Sequence, residues 1–154
     1  MAIISVGKSA GEFTLKDQNG QEFSLAAFRG KRVLLSFHPL AWTSVCSEQM
    51  KSLEKHHSRL TALGTVAVGI SVDSVPCKKA WADHLEIRNT RLLADFWPHG
   101  KVAQQFGAFR DVEGTSGRAN ILLDGSGKVA FVREYELRTV PDMAEIISVI
   151  EGMK

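Results

Sequence analysis

Cys46 is preceded by Pro39-Leu40-Ala41-Trp42-Thr43-Ser44-Val45, which separates an apolar run ending at Phe37-His38 from residues with helical spacing. A thiol therefore stands at the expected start of a helix. Backbone N–H groups there lack intrahelical partners and the helix dipole is positive, so a sulfur anion is expected to be favoured. The thiolate is the nucleophilic form of cysteine. It can attack an O–O bond in line while the second oxygen leaves with growing negative charge. Thr43, three residues before Cys46, offers a hydroxyl that donates and accepts beside the sulfur or its target, or else simply caps the helix. Pro39 has no N–H and a restricted φ, which suits a pocket wall as well as the end of a strand. The second cysteine, Cys77, lies 31 residues further on, at another expected helix start where its thiol could also be activated.

Composition narrows the partners. The 154 residues suffice for one good core and point to a single domain over 1–154. Nineteen basic and 17 acidic side chains leave a formal net charge of +2. The bases are scattered, and short clusters such as Lys78-Lys79 and Arg29-Lys31-Arg32 read as solvated face, so no nucleic-acid partner is expected. No apolar stretch approaches the roughly 20 residues that cross a bilayer, and Met1-Ala2-Ile3-Ile4-Ser5-Val6-Gly7 does not resemble a signal peptide. No membrane partner is expected, and the expected location is cytoplasmic. Two cysteines are too few for a secreted disulfide scaffold, which favours a chemical role for at least one. Neither a cofactor nor a metal is implied.

The elements that must hold Cys46 can be read from periodicity. Phe13 to Gln18 and Gln21 to Leu25 flank Asn19-Gly20, a dipeptide that favours a tight hairpin turn because both residues tolerate positive φ. Arg32 to His38 and Thr65 to Val72 read as buried strands, joined through a helix whose face carries Met50, Leu53, His57 and Leu60. Pro76 opens a second helix over Cys77 to Leu85, followed by a short strand at Arg91 to Asp95 and a short helix at Lys101 to Phe106. Ala119 to Asp124 and Lys128 to Arg133 surround Gly125-Ser126-Gly127 as an antiparallel pair. Pro141 and Asp142 begin a last helix with Met143, Ile146, Ile147 and Ile150 on its buried stripe. The long helices near the centre and end of the chain are expected to cover the two faces of a mixed sheet.

Element order and the Pro39, Thr43 and Cys46 spacing resemble the peroxiredoxins, the AhpC/TSA-like thiol peroxidases, over nearly the whole chain. The resemblance implies an α/β, thioredoxin-like fold with a central mixed sheet, flanking helices and an N-terminal β-hairpin. It makes Cys46 the peroxidatic cysteine, supported by Thr43 and Pro39, and selects Arg118 as the active-site arginine, which residue chemistry alone would not single out. Hydrogen peroxide or a small organic hydroperoxide is the implied substrate. The implied reductant is an external thiol or a thioredoxin- or glutaredoxin-like protein. A homodimer is implied too, with Trp42, Phe96 and Trp97 as candidate contacts.

Gln49 departs from the family pattern, which commonly has glutamate three residues after the attacking cysteine. Glu48 points about 100° away around the helix and does not replace it, so weaker polar support behind the arginine is expected. His38, where the family often has an aromatic residue, reads either as a modulator of the site or as a packed histidine bonded to backbone. Cys77 is the internal candidate for resolving a Cys46 sulfenic acid; the alternative is a one-cysteine cycle in which an external thiol attacks Cys46 directly. Two other functions stay open at this level, a thioredoxin-like disulfide reductase and a noncatalytic redox-sensing or chaperone-like binding protein. The reductase would normally carry Cys-x-x-Cys, and Thr43-Ser44-Val45-Cys46 has only the second cysteine.

Overall fold

The computed structural model describes residues 2–153. Its nine strands are β1 (Thr14–Lys16), β2 (Glu22–Ser24), β3 (Arg32–Phe37), β4 (Thr65–Ser71), β5 (Arg91–Ala94), β6 (Phe109–Arg110), β7 (Thr115–Ser116), β8 (Arg118–Leu123) and β9 (Val129–Tyr135). The helices are α1 (Ser44–Lys55), α2 (His57–Ala62), α3 (Val75–Leu85), α4 (Lys101–Gln105) and α5 (Met143–Glu151). A seven-stranded sheet runs β2-β1-β5-β4-β3-β8-β9. β3, β4 and β5 are parallel to one another, while β8, β9 and the hairpin pair antiparallel, giving the mixed, helix-flanked sheet of a thioredoxin-like fold. Among the described residues, no helix is long and apolar enough to cross a membrane.

Alternation along the central strands sorts two apolar layers. Val33, Leu35, Phe37, Ile121 and Leu123 join Phe13, Phe23, Val102 and Phe106 on one side of the sheet. Leu34, Leu92 and Leu122 face the other side, with Cys46, Met50 and Leu53 of α1, Trp81 of α3, and Met143, Ile146 and Ile150 of α5. The helices were expected to divide between the two faces; instead α1, α3 and α5 load the same one. The opposite face is covered by α4, with Phe106 at its end, and by the N-terminal segment, which supplies Phe13, Phe23 and Phe28. Gly69 lets α1 approach closely, since a Cβ there would lie 2.3 Å from Met50 Sδ.

Three local expectations change. The hairpin forms, but its register pairs Lys16 with Glu22 and leaves a five-residue loop. Asp17 Oδ1 accepts from the N–H groups of Asn19 and Gln21 at 2.8 and 3.0 Å, which fixes the wider turn, and only Gly20 takes positive φ. The helical stretch after Cys46 breaks at His56, whose φ of −97° and ψ of 8° leave the helix between α1 and α2. Lys78 does not share the solvated face of Lys79. It is fully buried, because the spacing of Lys78, Trp81 and Ala82 places it on the inward stripe of α3.

Candidate active site

Cys46 is the third residue of α1 and is fully buried. Its helix starts where the chain leaves β3, passes half-buried Pro39 and turns through Trp42, which holds a left-handed φ of 69°. A bulky residue in that region stores roughly 1–3 kcal/mol of strain, so the surrounding contacts must fix the loop. One of them is the Ala41 N–H, which donates to Asp73 Oδ2 at 2.8 Å. Thr43 occupies the N-cap position with extended backbone, yet its hydroxyl makes no cap bond and donates to Leu40 O at 2.7 Å. The helix-start N–H groups are thus left to the site rather than to a capping side chain.

Arg118 opens β8, so the sheet places it beside the C-terminal end of β3 and across from Tyr135. It is buried, and its Nη1 donates to Cys46 Sγ at 3.4 Å and to Gln49 Oε1 at 2.6 Å. Its Nε and Nη2 donate to Leu137 O at 3.2 and 2.7 Å. Gln49 lies one helical turn beyond Cys46, and its Nε2 donates to Ser36 Oγ at 2.7 Å and Phe37 O at 3.2 Å. Gln49 thus closes the polar network behind the arginine with uncharged partners. A carboxamide accepts from the arginine and donates to the strand at once, whereas a carboxylate could only accept. Because both oxygen partners of Arg118 are uncharged, its positive charge remains directed at the sulfur.

His38 is fully buried and packs against Trp81 with the rings tilted by 42° and their centroids 5.4 Å apart. Its Nδ1 faces Ser36 O at 3.4 Å, and its Nε2 lies 2.9 Å from Lys78 Nζ. Burial holds the imidazole well below the ordinary histidine range, helped by the positive charge of Lys78. Nδ1 therefore carries the proton, and Nε2 accepts from Lys78. Neither Lys78 nor Leu137 was singled out from sequence. For Lys78 the helical spacing to Trp81 was an available signal; for the Leu137 carbonyl there was none.

Cys77 is also the third residue of its helix, but its surroundings differ. Ser74 caps α3, accepting from Cys77 N at 3.3 Å, and Cys77 Sγ donates to Asp73 Oδ1 at 3.7 Å. Burial, then the charge and hydrogen bond of Asp73, push this thiol up from its ordinary value of 9.0. Burial and the adjacent carboxylate both oppose the activation expected from its helix start. Both cysteines are free, and both contact the same apolar cluster.

The AhpC/TSA family model matches residues 6–132 of the chain. The chain is 39% identical over 141 residues to alkyl hydroperoxide reductase E of Mycobacterium tuberculosis, covering 91% of this chain and 92% of that protein. It is 32% identical over 154 residues to the chloroplastic peroxiredoxin Q of Sedum lineare, covering 99% and 81%. The reduced 2-Cys peroxiredoxin of Plasmodium vivax superposes with a TM-score of 0.86 at 28% identity, covering 96% of this chain and 80% of that one.

Proposed function

The chain belongs to the AhpC/TSA family of peroxiredoxins and is a thiol-dependent peroxidase, and on that premise we propose that Cys46 is its peroxidatic nucleophile. The observation that carries this reading is the buried sulfur in the first turn of α1, 3.4 Å from a guanidinium nitrogen. The Cys46 thiolate attacks one peroxide oxygen, the S–O bond forms as the O–O bond breaks, and the other oxygen leaves as alkoxide or hydroxide and takes a proton. Arg118 favours the thiolate and the leaving charge with fixed N–H groups. Thr43, whose own proton is committed to Leu40 O, accepts from the peroxide O–H, and Pro39 walls the pocket. The substrate is hydrogen peroxide or a small organic hydroperoxide, a class that fits the alkyl hydroperoxide reductase relatives.

Turnover then needs a second thiol, from an external thiol or a thioredoxin- or glutaredoxin-like protein, with Cys77 as the internal candidate. The protein works as a homodimer in the cytoplasm, without nucleic-acid or membrane partners. Exposed Trp42, Phe96 and Trp97, the last 81% exposed, suit the contact between copies. Sedimentation that finds only monomer in both reduced and oxidised samples overturns the dimer. Cys46→Ser is expected to abolish peroxide consumption with the fold retained, and full activity in that variant overturns the assignment. In the wild type, one equivalent of peroxide followed by intact-mass mapping separates the routes. A Cys46–Cys77 disulfide means internal resolution, and a sulfenic acid with free Cys77 means an external thiol.

A further inference from the structure

Lys78 has no exposed surface at all. Burying an ammonium costs several kcal/mol unless partners offset the lost hydration. Its direct partner is the neutral His38 imidazole at 2.9 Å, with the Trp81 ring centroid 5.6 Å away. The carboxylates around it are committed elsewhere. Asp73 Oδ2 accepts from Ala41 N and Ser71 Oγ while Oδ1 faces Cys77, and both oxygens of Asp95 accept from the Val102 and Ala103 N–H groups. Trp81 joins this buried pair to the first turn of α1, packing tilted against His38 and donating its Nε1 to Ser47 Oγ at 3.1 Å, next to Cys46.

We propose that Lys78 is a positioning residue for Cys46: a buried ammonium, held by His38, whose charge matches the Cys46 thiolate and whose proton is released when that thiolate becomes a neutral sulfenic acid. This rests on Cys46 being the nucleophile. The titratable groups whose charge acts on Lys78 come from each neighbouring element: His38 after β3, Asp73 after β4, Asp95 after β5, Cys46 on α1 and Cys77 on α3, with the field of Arg118 acting on His38. Burial depresses Lys78 to about 7, and Asp73, then Cys46, Cys77 and Asp95, pull it back up. Removing the negative charge of Cys46 therefore loosens the Lys78 proton. In the oxidation step, sulfur gives two electrons to the peroxide, the S–O bond forms and the O–O bond breaks. Ammonium, thiolate and hydroperoxide become amine, sulfenic acid and alcohol, or water, with no change in net charge.

The test is the pH profile of the second-order oxidation of the reduced protein by hydrogen peroxide, in wild type, Lys78→Met and Lys78→Arg. Lys78→Met is expected to move the acid limb up by about one pH unit, a roughly tenfold loss near pH 6, and to converge with wild type where the thiol is fully ionised. Lys78→Arg restores the acid limb by supplying a fixed charge. A Lys78→Met profile that is unchanged, or lowered equally at every pH, overturns the proposal. Lysine 13Cε NMR of the wild type gives the second readout: the resonance titrating near neutrality shifts to its amine position when Cys46 is oxidised, and no shift overturns the proposal even where a variant fails to fold. Oxidation that persists in Cys46→Ser defeats the nucleophile reading itself, whereas Cys46-dependent oxidation indifferent to Lys78 defeats only this inference.

Discussion

The starts of α1 and α3 each carry a cysteine as third residue, so backbone geometry offers the same dipole to both sulfurs. Their neighbours differ. Cys46 is fully buried and receives a guanidinium N–H, while Cys77 is half-buried and gives its proton toward a carboxylate. A helix terminus is worth about 0.3–1 kcal/mol to a charge, whereas a hydrogen bond to a charged group is worth about 1.5–3 kcal/mol. The side chain opposite the sulfur therefore outweighs the helix. One loop serves both sites, since Asp73 anchors Ala41 on the way to Cys46 while its other oxygen faces Cys77.

Three substitutions break or sharpen this comparison. The largest effect is expected for Arg118→Met, which keeps length and removes every donor; the rate of oxidation by peroxide should fall roughly 100- to 1000-fold. Stopped-flow tryptophan fluorescence measures it, and an unchanged rate would place Arg118 outside the working site. A smaller effect of the opposite sign follows from Asp73→Asn. Removing the carboxylate charge lets the raised Cys77 thiol fall back toward its ordinary value of 9.0. Alkylation of Cys77 near pH 8 should then speed up about three- to tenfold, and peptide mapping after timed iodoacetamide treatment would expose a failure. The smallest change concerns the far ends of the same two helices. Glu54 in the last turn of α1 accepts from the N–H groups of Arg88, Asn89 and Thr90, just beyond α3.

Burial pulls the Glu54 carboxyl upward, but the backbone donors of Arg88, Thr90 and Asn89 hold it net below its ordinary value of 4.5. A depressed folded pKa adds stability that is fully present above 4.5 and is lost as pH falls through the folded value. Glu54→Gln should thus cost about 1–2 kcal/mol at neutral pH and progressively less in acid. Urea titrations at neutral and acidic pH would show a parallel loss at both if the clamp were not ionic. Peroxide reactivity should not change, because this clamp lies at the opposite end of α1 from Cys46.

Much of the scaffold was legible because its signals are local. Strand β3, the loop through Pro39 and Thr43, and the helix start at Cys46 follow from apolar runs, a proline and helical spacing, and the family resemblance added Arg118. The hairpin was legible as a hairpin, but its turn was not, since the Asp17 side chain competes with the local preference of Asn19-Gly20. Lys78 reads as solvated because two adjacent lysines look alike in sequence, while a helix turns them about 100° apart and sends one inward.

The amino-acid sequence by itself determined the order of the seven main-sheet strands and of the longer helices, the family, and a thiol at a helix start, because propensity and periodicity act over a few residues. Tertiary structure decided what faces each thiol: Arg118 from β8 at Cys46, Asp73 at Cys77, Gln49 completing the arginine's bonds and His38 receiving Lys78. Electrostatic and hydrogen-bond energies depend on distance and burial between residues remote in the chain, and those quantities exist only once the sheet has brought its strands together.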